Sequence, residues 1–290
     1  MNWIIIIILV TLVAAFIIMF LLIQKGFKNP VDKHTIPNDL PLNVQEVEYP
    51  TKNGKNIYGW WIPADPKALT VIFVHGWGKN AQRMMPYLRK FCCGKFNLLA
   101  FDARGHGNSD RDGYSNMLKF SEDIISSMNY LEQSGKIENN TIYLIGLSIG
   151  GAASIYAAGH DSRIKKVVTV GAFAHPAAVI TKQIKDHHVP YFPLIWFFYR
   201  YMKYVKKLDM DAIAPEKHIA KAQAHFLLIH GENDQTVSVE QGKRLKKAAG
   251  DKADLWIISG RGHSDCHHEP GFWEKVREFF DSPKPKVQKH

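Results

Sequence analysis

Apolar positions are spread very unevenly along this chain. The first block, Trp3 to Ile23, is apolar throughout except for Thr11. At about 1.5 Å per residue a helix of that length spans roughly 30 Å, the thickness of a bilayer core. A cleaved signal peptide would carry a basic start, a shorter apolar stretch and a small-residue cleavage site. Here no charged side chain precedes the run, and Gln24-Lys25-Gly26-Phe27-Lys28 follows it. The pattern predicts an uncleaved membrane-spanning helix over residues 1–24. Lys25, Lys28 and Lys33 all lie after it, so the positive-inside rule puts the remainder of the chain in the cytoplasm. Residues 25–43 contain Pro30, Pro37 and Pro41 and few large apolar side chains, which predicts a linker.

From Val44 onward short apolar runs alternate with amphipathic ones. Val44–Tyr49 and Asn56–Ile62 flank Asn53-Gly54, a hairpin signal. Further strands are expected at Thr70–His75, Phe96–Phe101, Thr141–Ile145, Lys166–Val170, His225–His230 and Asp254–Ser259. Helices are expected at Gln82–Phe91, about Leu118–Gln133, Ala152–Ala158, His218–Lys221, Val239–Ala249 and Phe272–Phe280. Apolar strands joined by helices predict an α/β domain over residues 44–281. Its sheet would have eight strands, mostly parallel, with helices on both faces. The first hairpin supplies antiparallel strands at one edge. The alternation lapses between about Ala172 and Asp209, which reads as an insertion. Residues 282–290 are basic, contain proline and are expected to be disordered.

The pattern is most informative at Gly146-Leu147-Ser148-Ile149-Gly150-Gly151. A β-branched run precedes this stretch and a small-residue run follows it. Strand, Gly-x-Ser-x-Gly turn and helix make the layout of a nucleophile elbow, which exposes a serine hydroxyl on a strained turn. The same letters also describe any glycine-rich turn carrying an incidental serine. A serine hydroxyl is a weak nucleophile at neutral pH. It needs a base, a group that orients the base, and donors for the oxyanion.

In this topology the partners follow in the order acid, then histidine, each in a loop after a later strand. Asp234, just past the strand at 225–230, is the acid candidate. Glu232 is its neighbour and rival, and Asp234 alternatively serves as a turn or helix-cap residue. His263, between Gly262 and Ser264 after the last strand, is the base candidate. His267 and His268 are close rivals among 14 histidines. A His-x-x-x-His-His spacing also raises a metal site, but no cysteine pair or carboxylate pattern accompanies it. The backbone N–H groups of Trp77 and Ile149 are the expected oxyanion donors. His75 lies at a strand end without an acid partner in sequence and is expected to stabilise its loop.

Composition changes this picture modestly. With 290 residues, 46% hydrophobic and 22% charged, the chain can build one large α/β domain. The net charge of +10 favours anionic surfaces. No nucleic-acid motif accompanies the charge and the lysines are scattered, so nucleic acid is not an expected partner. A basic domain beside a membrane is the simpler reading. The three cysteines, Cys92, Cys93 and Cys266, form no disulfide framework or zinc motif, which points to a reducing compartment. No cofactor or metal is expected.

Taken together, five ordered motifs carry a resemblance. They are His75-Gly76-Trp77-Gly78, Asp102-Ala103-Arg104-Gly105-His106-Gly107-Asn108-Ser109, the elbow at 146–150, His230-Gly231 through Asp234, and Gly262-His263. From about Val44 to Phe280 the chain resembles the α/β-hydrolase superfamily, in its serine aminopeptidase-like and monoglyceride-lipase-like branch. The resemblance implies an α/β-hydrolase fold and a Ser148–His263–Asp234 triad acting through an acyl-enzyme. It also implies a structural role for the loop at 102–109, and a short helical cap inserted at about 172–209.

That cap is dense in aromatics. At helical spacing Ile195, Phe198, Tyr199 and Met202 form a stripe suited to packing on the core. Tyr191, Trp196, Phe197, Tyr201 and Tyr204 fall outside it. Trp196, Phe197 and Tyr201 are the candidates for an acyl-binding pocket, or for contact with the bilayer interface. The overall expectation is a membrane-anchored serine hydrolase of carboxylic, lipophilic acyl esters. Peptidase or thioesterase activity, or a non-catalytic membrane-tethered binding module, are the alternatives. The oligomeric state is left open.

Overall fold

β-Branched and aromatic residues build the sheet, and their alternation decides which face each one covers. The structure, a computed structural model, describes residues 3–7, 10–11, 13–14, 17, 32–37, 40, 44–92, 94–186, 192 and 195–282. The strands are β1 Gln45–Pro50, β2 Asn56–Ile62, β3 Thr70–Val74, β4 Asn97–Phe101, β5 Ile142–Leu147, β6 Ile164–Val170, β7 His225–Gly231 and β8 Ala253–Ile258. They form one sheet of eight strands in the order β1-β2-β4-β3-β5-β6-β7-β8. β1 and β2, and β2 and β4, pair antiparallel. Every pairing from β4 to β8 is parallel.

The helices are α1 Met85–Phe91, α2 Met117–Gln133, α3 Ile149–Ala158, α4 Pro176–Asp186, α5 Trp196–Tyr204, α6 Pro215–Ile219, α7 Val239–Ala249 and α8 Phe272–Asp281. Strand β3 shows how the layers divide. Val71 and Phe73 join the core under α1 and α8, whereas Ile72 and Val74 join the core under α2 and α3. A strand buried on both faces must be apolar at successive positions, and β3 is.

Differences from the expected boundaries have local causes. The hairpin turn is a 3-10 turn at Lys52–Gly54, with φ of 60° at Asn53 and 61° at Gly54. Asparagine and glycine are the residues that tolerate this region. The helix expected from Gln82 begins as a 3-10 turn, Ala81–Met84, capped by the Asn80 side chain on Gln82 N–H at 3.1 Å. α6 starts at Pro215, earlier than expected, because proline suits the first helical turn. Lys166, a buried charge on β6, donates from Nζ to the carbonyls of Phe279, Phe280 and Ser282 at 2.8, 3.0 and 2.6 Å. It thereby closes the C-terminal end of α8.

Two predictions concern the N-terminal region. All described residues between 3 and 17 are helical and exposed. No helix among the described residues is long and apolar enough to cross a membrane. About half of the run from Trp3 to Ile23 falls outside the described residues, and so does the tail from 283. Within the expected linker, residues 32–37 lie against the domain. The His34 ring sits edge-on to Trp60, 5.0 Å between centroids, with Nε2 2.8 Å from the Asp102 carboxylate.

Candidate active site

Glycine packing sets the position of Ser148. The residue joins β5 directly to α3 with φ 53° and ψ −118°, a conformation that side chains rarely adopt. Two backbone approaches enforce it. A Cβ on Gly146 would lie 2.6 Å from the Gly150 carbonyl oxygen, and one on Gly150 would lie 2.4 Å from that of His75. Ser148 N–H donates to the Val170 carbonyl at 2.8 Å, which ties the turn to the end of β6.

The loops after β7 and β8 meet at that same edge. A Cβ on Gly231 would lie 2.3 Å from the Gly262 carbonyl, so glycine is required where the two loops touch. The contact brings His263 Nδ1 to 2.6 Å from Asp234 Oδ2. Gly171, directly after Val170, has φ +65°, and a Cβ there would lie 3.0 Å from the His263 ring. The imidazole therefore stands one residue from the carbonyl that holds Ser148. Ser148 and His263 line one cavity.

Asp234 is buried, and its second oxygen accepts from the N–H groups of Thr236 and Val237 at 2.9 and 2.8 Å. Burial opposes its charge. Hydrogen bonds from His230, His263 and the Val237 backbone outweigh burial and hold the carboxyl well below the usual carboxylate range. The imidazole of His263 thus faces a permanent anion at neutral pH. His230 was not anticipated as a neighbour of the site. Its Nε2 lies 2.8 Å from the Val237 carbonyl and 3.4 Å from Asp234 Oδ2. Its spacing of four residues before Asp234 was the available signal.

Glu232, His267 and the other ionisable groups near the site are engaged elsewhere. Glu232 is exposed and accepts from Ser259 Oγ at 2.6 Å. Asp102 is buried and receives the N–H groups of Ala81 and Asn108 at 2.7 and 2.8 Å, besides His34. Its loop also carries Arg104, whose guanidinium binds Asp112, Asp123 and Glu122. His75 accepts the Ala103 N–H on Nε2 at 3.0 Å, so its proton sits on Nδ1, 2.7 Å from the Gly76 carbonyl. Burial lowers its pKa. Burial, with His75 alongside, lowers that of His106 to about 3. His267 packs against Tyr87 and Trp273. Burial pushes the Cys266 thiol up to about 12, so it is protonated at neutral pH and is not a competing nucleophile.

Trp77 and Ile149 both line the cavity beside Ser148. Ile149 is the first residue of α3, where backbone N–H groups have no partner within the helix. The cavity has a volume of about 780 Å³. Its floor is the elbow. Its roof comes from α4 through Val179, Ile180 and Ile184, and from the second cap helix through Ile195, Phe198 and Met202.

This roof differs from one of the two expectations. Trp196, Phe197 and Tyr201, read as binding the acyl group or meeting the bilayer interface, do not line the cavity, and Trp196 and Phe197 are 37% and 44% exposed. The reason is helical phase. α5 buries the Ile195–Phe198–Met202 stripe toward the elbow, which turns Trp196 and Phe197 outward and leaves Tyr201 half-buried at the side. The contribution of α4 was missed altogether. Pro176 at its start and the spacing of Val179, Ile180, Gln183 and Ile184 were the signals that could have found it.

The sheet order, the positive-φ serine after β5, and the Asp and His loops after β7 and β8 define an α/β hydrolase. The chain belongs to the family described as serine aminopeptidase S33, which matches residues 64–214. It is 26% identical to the Escherichia coli (strain K12) protein YfhR over 264 residues, 87% of this chain and 85% of that protein. It is 24% identical to Bacillus subtilis (strain 168) YqkD over 280 residues, 91% of this chain and 90% of that one. Among solved structures, Pyrococcus furiosus esterase Pf2001 shares the fold with a TM-score of 0.71 and 22% identity, covering 87% of this chain and 98% of that one. A Mycobacterium tuberculosis puromycin-hydrolyzing peptidase has a TM-score of 0.64 at 16% identity, over 85% of this chain and 40% of the other.

Proposed function

We propose that this chain is a serine hydrolase that cleaves carboxylic esters of lipophilic acyl groups. The observation that carries the reading is the pairing of a positive-φ Ser148 with an Asp234-bound His263 on the wall of one largely apolar cavity. In this reading Ser148 Oγ attacks the ester carbonyl while His263 Nε2 takes its proton. Asp234 holds Nδ1–H and stabilises the imidazolium. The N–H groups of Trp77 and Ile149 receive the oxyanion. His263 then gives the proton to the leaving alcohol. Water, activated by the same imidazole, releases the acid and restores the serine.

An ester is favoured over an aminopeptidase substrate by the cavity lining. A free amino terminus needs a carboxylate partner, and no Asp or Glu lines the cavity among the described residues. The apolar roof of Val179, Ile180, Phe198 and Met202 suits an acyl chain.

We also propose that the apolar run at 3–23 anchors the protein in the cell membrane, with the hydrolase domain in the cytoplasm. The length of that run and the lysines after it support this. So does the outward face of the cap, where Phe192, Trp196, Phe197 and Tyr204 are exposed and Arg200 stacks on Trp196 at 5.1 Å. A panel of decanoyl and acetyl esters, decanoyl thioesters and aminoacyl amides tests the chemistry. Decanoyl ester turnover above the others is expected, and preferential amide cleavage would overturn it. Protease added to intact cells should leave the domain uncut, and digestion would reverse the orientation.

A further inference from the structure

The charged side chains on the cavity wall carry one sign. Besides His263, the lining contains Lys79 and Arg83 and no carboxylate among the described residues. Both lie on the segment that follows β3, whereas the apolar roof comes from α4 and α5. Lys79 is exposed at the tip of the His75–Asn80 loop. Arg83 is half-buried in the turn that follows, and its Nη2 donates to the Ser264 carbonyl at 2.8 Å. That bond fixes the guanidinium beside the loop carrying His263 and leaves its other N–H groups for a ligand. No ion pair with a described carboxylate neutralises either cation. Of the acids in the neighbouring loops, Asp265 Oδ1 accepts the Gly262 N–H at 2.7 Å and Asp234 holds His263, and neither is within ion-pair distance of Arg83 or Lys79.

A solvated lysine and a carbonyl-bound arginine are ordinary on a surface. Here they line the same cavity as the nucleophile and the apolar roof, and Arg83 is held against the residue next to His263. We propose that Lys79 and Arg83 recognise an anionic group, phosphate or carboxylate, on the alcohol side of the scissile ester. The substrate is then an anionic amphiphile. Its acyl chain lies under α4 and α5, its carbonyl at Ser148, and its charged leaving group against the two cations. This rests on the ester-hydrolase reading and narrows its substrate class. Hydrolysis stays in balance: Ser148 Oγ gains the acyl group, the leaving alkoxide takes the proton from His263, and water supplies the oxygen of the released acid. Arginine suits a planar bidentate contact with either anion, and lysine adds a mobile point charge.

The test uses the full chain in nonionic detergent with three substrates: 1-decanoylglycerol, its 3-phosphate, and decanoyl glycolate. The kcat/KM for both anionic esters should exceed that for the neutral one by about tenfold or more, the scale of a charge-assisted contact. The ratio should fall toward one in Lys79→Gln/Arg83→Gln, and narrow with added salt because the mouth is open to solvent. It should persist in Lys79→Arg. Preference for the phosphate alone assigns the site to phosphate esters, and equal preference assigns it to anions generally. A wild-type ratio near one, or a ratio retained in the double variant, overturns the proposal. Calorimetric binding of decyl phosphate and decanol to Ser148→Ala separates this from a failure of the ester reading. Tighter decyl phosphate binding that is lost in the double variant supports the anion site even if no ester is cleaved. Equal binding of the two probes overturns it.

Discussion

The elbow and the cap are both built from residues around the sixth strand, yet they obey different constraints. At the elbow, backbone meets backbone. Gly146, Gly150 and Gly231 each stand where a Cβ would come within 2.6 Å of a carbonyl oxygen. In the cap, side chain meets side chain. Ile195, Phe198 and Met202 fill a roof where several apolar residues of similar volume would serve. A site that depends on close backbone approach advertises itself through glycine. A lining that depends on apolar volume does not.

That contrast implies unequal sensitivity to substitution. The largest effect is expected at Asp234. Asp234→Asn leaves the shape intact but removes the anion that fixes the His263 tautomer, and kcat should fall by about 10⁴-fold. The same variant sharpens the electrostatics through pH. The Asp234 pKa is lowered in the folded state, so its stabilising contribution is present above the unfolded value of about 4. It is lost as pH falls through the folded value. The wild-type melting temperature should therefore drop more steeply than that of Asp234→Asn on acidification below about pH 4. Parallel curves would show that folding does not hold the carboxyl below its unfolded value and that the carboxylate adds no pH-dependent stability.

Next comes Gly150→Ala, one methyl group on the elbow. The Cβ meets the His75 and Val74 carbonyls at 2.4 and 2.5 Å, so the turn must shift. A displacement near 1 Å at the nucleophile costs about 10²-fold in kcat. Full activity with unchanged melting temperature would contradict the packing account. Phe198→Ala, a far larger change in the cap, should be milder for chemistry. It should lower kcat/KM about tenfold on a decanoyl ester while an acetyl ester changes little, because only the long chain reaches the roof. Equal losses on both would remove the roof from substrate binding. The smallest effect is expected for Trp196→Ser. The side chain is 37% exposed and off the cavity, so turnover in detergent should stay within about twofold. A large selective loss on long-chain esters there would restore the expectation drawn from the sequence.

The same contrast explains what could be read before the structure. The existence of the strands and their mostly parallel direction followed from apolar runs such as Thr70–Val74 and Ile142–Leu147, where both faces are buried and every position reports the same fact; their order across the sheet did not. Ser148, Asp234 and His263 were legible as candidates because each follows a strand and stands within three residues of a glycine. Whether the cap aromatics line the pocket or face outward could not be read, because periodicity identifies a stripe without saying what it faces. Ile195, Phe198 and Met202 were read as packing on the core, and they do belong to it. The same stripe is also the roof of the cavity, while the residues left over, Trp196 and Phe197, point away. Lys79 and Arg83 carried no signal at all in one dimension. Their meaning comes from the absence of a described carboxylate on a wall assembled from segments far apart in the chain, from Gly76 to Ser264.

The central claim is that Ser148 is the nucleophile of an acyl-enzyme mechanism. Intact-mass analysis of the full chain after reaction with an alkyl fluorophosphonate tests it most directly. One adduct per chain is predicted, mapped by peptide analysis to Ser148, absent from Ser148→Ala and formed far more slowly in His263→Ala. A folded wild-type chain that takes no adduct, or an adduct that survives Ser148→Ala, would contradict it.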